Sequence, residues 1–189
     1  MSEDIAAYGK DARKTVDIPA WESLPDIGLY MDQVITYLER ILGHGEAATP
    51  SMVNNYVKAG ILPRAEGKKY GPEHLAILIV AFALKRVLSM QDIRKVVEGG
   101  GGEGSVRSLY EEFRSIAGRS AREIEALACE QEALKERGSK ASSLALRLAV
   151  EAGARSRLAQ TILASGSSSG GEPLKKKRGA ARRKAEPTA

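Results

Sequence analysis

The chain has 189 residues and 43% hydrophobic content, enough to bury the core of one larger domain or two small ones. Its single cysteine, Cys129, excludes an internal disulfide and a multi-cysteine metal site, so a reducing compartment is the expected setting. The net charge of +5 comes wholly from the C-terminal stretch: from Ser165 onward seven basic residues stand against two acids, leaving 22 of each sign in residues 1–164. An anion-binding surface in the body therefore has to come from local clustering.

No basic-then-apolar leader opens the chain, and the longest apolar run, Leu75 to Leu84, is far short of the roughly 20 residues that span a bilayer. The expected location is cytoplasmic, with that run as a core helix. Residues 1–28 carry Gly9, Pro19, Pro25 and Gly28 among scattered apolar groups and read as an irregular lead-in, with Trp21 pinning it to the core. Residues 29–42 place Met31, Val34, Ile35, Leu38, Ile41 and Leu42 at three- and four-residue steps, an amphipathic helix.

The stretch G-H-G-E-A-A-T-P breaks that helix, and Thr49 followed by Pro50 starts another, a capping hydroxyl before a proline whose missing N–H costs nothing there. This second helix runs to Ala59 and Gly60 ends it. Residues 61–71, I-L-P-R-A-E-G-K-K-Y-G, read as a small β-hairpin turning at Glu66 and Gly67. Pro72 and Glu73 open a nearly all-apolar helix to about Leu88, and Ser89 caps a shorter one to Glu98.

The run G-G-G-G-E-G at 99–104 reads as a flexible linker; neither a preceding strand nor P-loop spacing supports phosphate binding. Residues 105–164 then predict three helices, about 105–117, 120–137 and 140–164, forming a C-terminal helical bundle. Residues 165–189 lack core-forming side chains and predict a disordered basic tail, either a sequence-independent DNA-tethering arm or an inert solubilising segment.

Two adjacent asparagines inside the 50–59 helix call for a reason, because their amides compete for backbone hydrogen bonds. At 100° per residue, Ser51, Asn54, Asn55 and Lys58 fall within about a 100° arc, opposite Met52, Val53, Tyr56 and Val57. One face packs; the other offers a hydroxyl, two amides and an ammonium. Asparagine pairs bidentately with adenine, while serine and lysine reach bases or phosphates, so this face has the chemistry to read a DNA major groove. A helix, a glycine-containing break and a second helix is the helix-turn-helix order. Between Ser51 and Gly71 four basic residues oppose one acid, a local +3 suited to phosphate contact.

The order of these elements, with Tyr56, Gly60-Ile61-Leu62-Pro63-Arg64, Lys68-Lys69-Tyr70, a long apolar helix and Leu88-Ser89-Met90-Gln91-Asp92-Ile93, resembles the DNA-binding domain of MerR-type regulators. Those show Y-Y-E-x-x-G-L-L-x-P-x-R, then R-x-Y, then a helix leading to G-F-S-L-x-E-I. L-Y-M-D-Q-V, M-V-N-N-Y-V-K and K-K-Y are similar, over roughly residues 20–98, to a bacterial family catalogued only as a domain of unknown function. The MerR arginine and first tyrosine align with Asn54 and Asn55, and its glutamate with Val57, so fold and wing placement carry over but base preference does not.

The resemblance implies a mainly α protein with a MerR-like winged helix-turn-helix at 29–98, bound to double-stranded DNA in the bacterial nucleoid as a homodimer. The expected function is sequence-specific transcriptional regulation. Bases would be read by Ser51, Asn54, Asn55 and Lys58, and phosphates held by Arg64, Lys68, Lys69 and Tyr70. The alternative is a protein-interaction module that keeps the winged scaffold without specific DNA binding. His44 and His74 stand at no ligand spacing to each other or to Cys129, and no G-x-S-x-G, H-E-x-x-H or P-loop occurs, so neither an enzyme nor a metal or cofactor site is expected.

Overall fold

The computed structural model of the chain describes residues 18–42, 48–100, 105–135 and 141–166. Most of the lead-in, the break holding His44, the end of the glycine-rich linker and the basic tail beyond Gly166 lie outside the described residues. Six helices make up the described fold: α1 Met31–Leu42, α2 Pro50–Lys58, α3 Pro72–Leu84, α4 Met90–Gly99, α5 Val106–Lys135 and α6 Ala141–Gly166. The protein is mainly α, as its periodicities predict. No described helix is long and apolar enough to cross a membrane.

The core is organised around α3, whose eight consecutive residues Leu75 to Phe82 are all buried. A helix apolar on every side has no face for water and must be enclosed by its neighbours. Pro72 starts it, and the Gly71 N–H donates to His74 Nδ1 at 3.2 Å, satisfying one group near the helix start. α1 packs against it through Val34, Tyr37 and Leu38, and α2 contributes Val53 and Tyr56. Tyr56 meets Phe82 edge-on at 5.6 Å. α4 adds Ile93, beneath a Ser89 cap that accepts from the Asp92 N–H and donates to its carboxylate.

The structure departs from the sequence expectations at four places. First, α3 stops at Leu84 rather than Leu88: the N–H groups of Val87 and Leu88 both reach back to Leu84 O at 3.0 Å, tightening the chain into a turn. Ser89 needs an extended backbone to cap α4, and this turn provides the reversal.

Second, residues 61–71 form no hairpin, and no strand occurs among the described residues. Gly67 and Lys68 take positive φ of 56° and 64°, as a type I′ turn requires, closed by Lys69 N–H to Glu66 O at 2.9 Å. One bridge, Glu66 to Lys69, is all the pairing this turn has; Pro63 brings no N–H to extend it. The returning arm pairs elsewhere. Tyr70 exchanges two backbone hydrogen bonds with Leu29, at 2.8 and 2.9 Å, tying the turn to the segment before α1.

Third, residues 106–135 form one helix, running through the break expected near Gly118. A single glycine costs a helix only about 1 kcal/mol relative to alanine, and the helix formers around it outweigh that. The described C-terminal region is thus two helices, and α6 packs on α4 rather than along α5 as a bundle would. Fourth, the linker does not separate two cores: Leu109 and Tyr110 of α5 are buried, and α5 packs on α3.

Trp21 does anchor the lead-in. It opens a 3₁₀ turn, Trp21–Ser23, that sits edge-on to Tyr110 at 6.0 Å. Tyr110 Oη donates to Pro19 O at 3.0 Å, and Arg114 Nε donates to Ile18 O at 3.0 Å. Removing that hydroxyl in Tyr110→Phe should cost about 1 kcal/mol, whereas Leu78→Ala, a cavity in the wall of α3, should cost about 2–5 kcal/mol; urea unfolding with unchanged slope measures both.

Burial pushes the phenols of Tyr37, Tyr70 and Tyr110 above their ordinary range. The folded protein then holds these protons more tightly than the unfolded chain, so their contribution is complete below the unfolded value of about 10 and declines as pH rises past it. The urea midpoint should therefore fall between about pH 9 and about pH 11, and fall less in Tyr110→Phe.

Candidate nucleic-acid interface

α2 is short, nine residues, and both its ends are tied down. At the start, Thr49 Oγ1 accepts from the Met52 N–H at 3.2 Å and Pro50 holds the first helical position. At the end, Gly60 takes φ of 73°. Its N–H bonds to Val57 O at 3.1 Å and the Ile61 N–H to Tyr56 O at 3.0 Å, the paired bonds of a Schellman stop. Ile61 and Leu62 then turn into the core.

With Val53 and Tyr56 facing α3, the rotation of α2 is set. Ser51, Asn54, Asn55 and Lys58 are all exposed, and α2 contains no acidic residue. The exposed arc therefore carries amides, a hydroxyl and an ammonium with no carboxylate to repel a phosphate.

Cations stand at both ends of this helix. Lys68 and Pro50 line one open hollow of about 590 Å³, shared with Tyr30, Met31, Asp32, Ala65 and Tyr70, which places the exposed tip of the 66–69 turn across from the α2 start. Asp32 is the one acid in that lining. At the other end, Arg94 of α4 lies over Gly60: a Cβ built there would come within 3.5 Å of the guanidinium carbon. Sequence reasoning missed Arg94, since only the packing of α4 brings it beside α2. Its Nε bonds Glu98 at 2.7 Å on the same helix, an exposed pair of small energetic weight that an incoming phosphate can displace.

The remaining expected contacts divide. Arg64 and Lys69 are exposed. The Lys69 stem lies against Gly28, where an added Cβ would come 2.8 Å from Lys69 Cβ, and its ammonium sits 5.6 Å from the Tyr30 ring centroid. Lys69 thus lies against the segment leading into α1, and Lys68 lines the hollow between the start of α1 and Pro50. Tyr70 is 6% exposed, with its ring edge-on to His74 at 5.5 Å. A ring so placed supports the turn from inside, with one edge on the open hollow that Lys68 also lines.

The region that builds this surface is also the one that is shared with other proteins. The chain belongs to the family described as Domain of unknown function (DUF1836). The match covers residues 19–113. That DUF1836 span begins at Pro19, whose carbonyl receives the Tyr110 hydroxyl, and ends at Phe113, which packs against the core. Among the described residues every buried core residue, from Leu24 to Tyr110, falls inside it, and so do α2, the 66–69 turn and Arg94. No curated protein and no solved structure matches the chain.

Loss of either end of α2 should loosen its presentation. Thr49→Ala should cost about 1 kcal/mol, and Gly60→Ala, which forces a Cβ into left-handed backbone, about 1–2 kcal/mol; thermal or urea unfolding reads both.

Proposed function

We propose that this DUF1836 protein is a sequence-specific, double-stranded-DNA-binding regulator of transcription acting in the bacterial cytoplasm. On this reading α1 and α2 are the two helices of a MerR-like helix-turn-helix, with the wing reduced to the tight 66–69 turn. The observation that carries the reading is the acid-free exposed arc of α2, flanked at its start by Lys68 and at its end by Arg94. An α-helix fits the major groove, and this one would bring Asn54 and Asn55 to base edges, where an amide meets adenine through two hydrogen bonds. Around that arc Ser51 and Lys58 lie between the two asparagines, one near each end of the helix, suited to a base or the adjoining phosphate. Arg64, Lys68, Lys69 and Arg94 supply the backbone contacts.

Both asparagines are exposed and unneeded by the core, so their replacement tests recognition without disturbing the fold. Asn54→Ala or Asn55→Ala should weaken binding to the preferred site by about 1–3 kcal/mol and leave random DNA nearly unaffected. Lys68→Ala should weaken all DNA binding and reduce the slope of log K against log salt by about 0.9 for the lost phosphate contact. The measurement is binding to genomic fragments at two salt concentrations. Equal losses on specific and random DNA for the asparagine variants would remove base reading, and salt-independent capture would favour a protein partner instead.

A further inference from the structure

Three hydrogen bonds between described residues fasten α6 to the rest of the protein, all along one side of the helix. Ser156 Oγ and Gln160 Nε2 both donate to Val87 O at 3.2 Å, and Lys95 Nζ donates to Leu163 O at 3.3 Å. About 120° around the helix from these anchors, counting 100° per residue, lies a second stripe made by Leu144, Leu148, Glu151, Arg155, Leu158 and Ile162. Leu148, Leu158 and Ile162 on it are 37%, 61% and 59% exposed, and Leu144 is half-buried. Large apolar side chains aligned on one exposed face are the mark of an association surface rather than of a solvated one.

The order of the stripe identifies what covers it. Its members are spaced four, three, four, three and four residues apart, the alternation of a helix–helix seam, and the pattern reads the same from either end. Laid antiparallel against a second α6 about the midpoint of the stripe, Leu144 meets Ile162 of the second copy, Leu148 meets Leu158, and Glu151 meets Arg155. The two-fold axis repeats each contact, so apolar groups face apolar groups and the two central charges face their opposites. A parallel pairing in the same register would set Glu151 against Glu151 and Arg155 against Arg155. Glu151 already draws Arg147 to 3.9 Å within its own helix, an exposed pair that leaves its outer oxygen available.

We infer that α6 is a self-association helix, pairing antiparallel with α6 of a second copy of this chain through the Leu144–Ile162 stripe. The seam is about 27 Å long, from 1.5 Å per residue. The inference does not rest on DNA binding, and it puts the contact between copies on a single helix.

Sedimentation of the full chain without DNA tests it. The protein should sediment as a dimer, and Leu158→Asp should make it monomeric. Glu151→Arg should raise the dimer dissociation constant about tenfold, two exposed charge pairs being lost per dimer, and the exchange Glu151→Arg with Arg155→Glu should restore it. Leu146→Gln and Val150→Ser, exposed but off the stripe, should change nothing. Circular dichroism equal to that of the parent separates a broken seam from a melted helix. In a Cys129→Ser background, Leu148→Cys together with Leu158→Cys should cross-link two chains on oxidation, and Leu148→Cys alone should not. A monomeric parent, or cross-linking by Leu148→Cys alone, would overturn the assignment whatever the protein does with DNA.

Discussion

Between Leu75 and Phe82 helix α3 offers water no polar side, and the rest of the structure is arranged by the need to enclose it. Each enclosing element turns one apolar face to α3 and keeps the other for solvent. For α2 this settles the direction of its polar side: once Val53 and Tyr56 face Phe82 and its neighbours, Asn54 and Asn55 face outward. The proposed recognition surface is thus the geometric complement of a packing requirement.

A nine-residue helix is too short to hold its shape in isolation, so its value as a presenting element lies in its ends. Thr49 and the Gly60 stop hold them, and the segment after Gly60 drops Ile61 and Leu62 into the core. Behind the cationic turn, the backbone pairing of Tyr70 with Leu29 and the burial of the Tyr70 ring make a rigid footing. The side chains that would meet a ligand are exposed, and everything beneath them is fixed.

Much of this was legible in the sequence because it depends on local rules. The α2 boundaries follow from Thr49, Pro50 and Gly60, and its two faces follow from helical geometry. The reach of α3 was misjudged because Lys85 and Arg86 can extend a helix or turn out of it, and only the Ser89 cap decides. The hairpin expectation failed because K-K-Y reads as a strand until Leu29, distant in sequence, takes its hydrogen bonds. Tyr70 follows two exposed lysines, and alternation along an extended arm turns most of its ring inward. Gly118 looked like a break, although one glycine is a small perturbation in a helix of 30 residues. Arg94 was invisible for a different reason, since its position beside Gly60 exists only after α4 has packed.

The fastening of α6 has a property of its own. At each point a side chain from one element meets a main-chain atom of the other: Ser156 and Gln160 grip the carbonyl of Val87, while Lys95 grips the carbonyl of Leu163. A carbonyl is present whatever residue carries it. At Val87 the DUF1836 segment therefore offers a main-chain acceptor that a substitution of that side chain leaves in place, while its second fastening depends on the Lys95 ammonium. Ser156 and Gln160, by contrast, have to keep their polar groups for those two bonds to form.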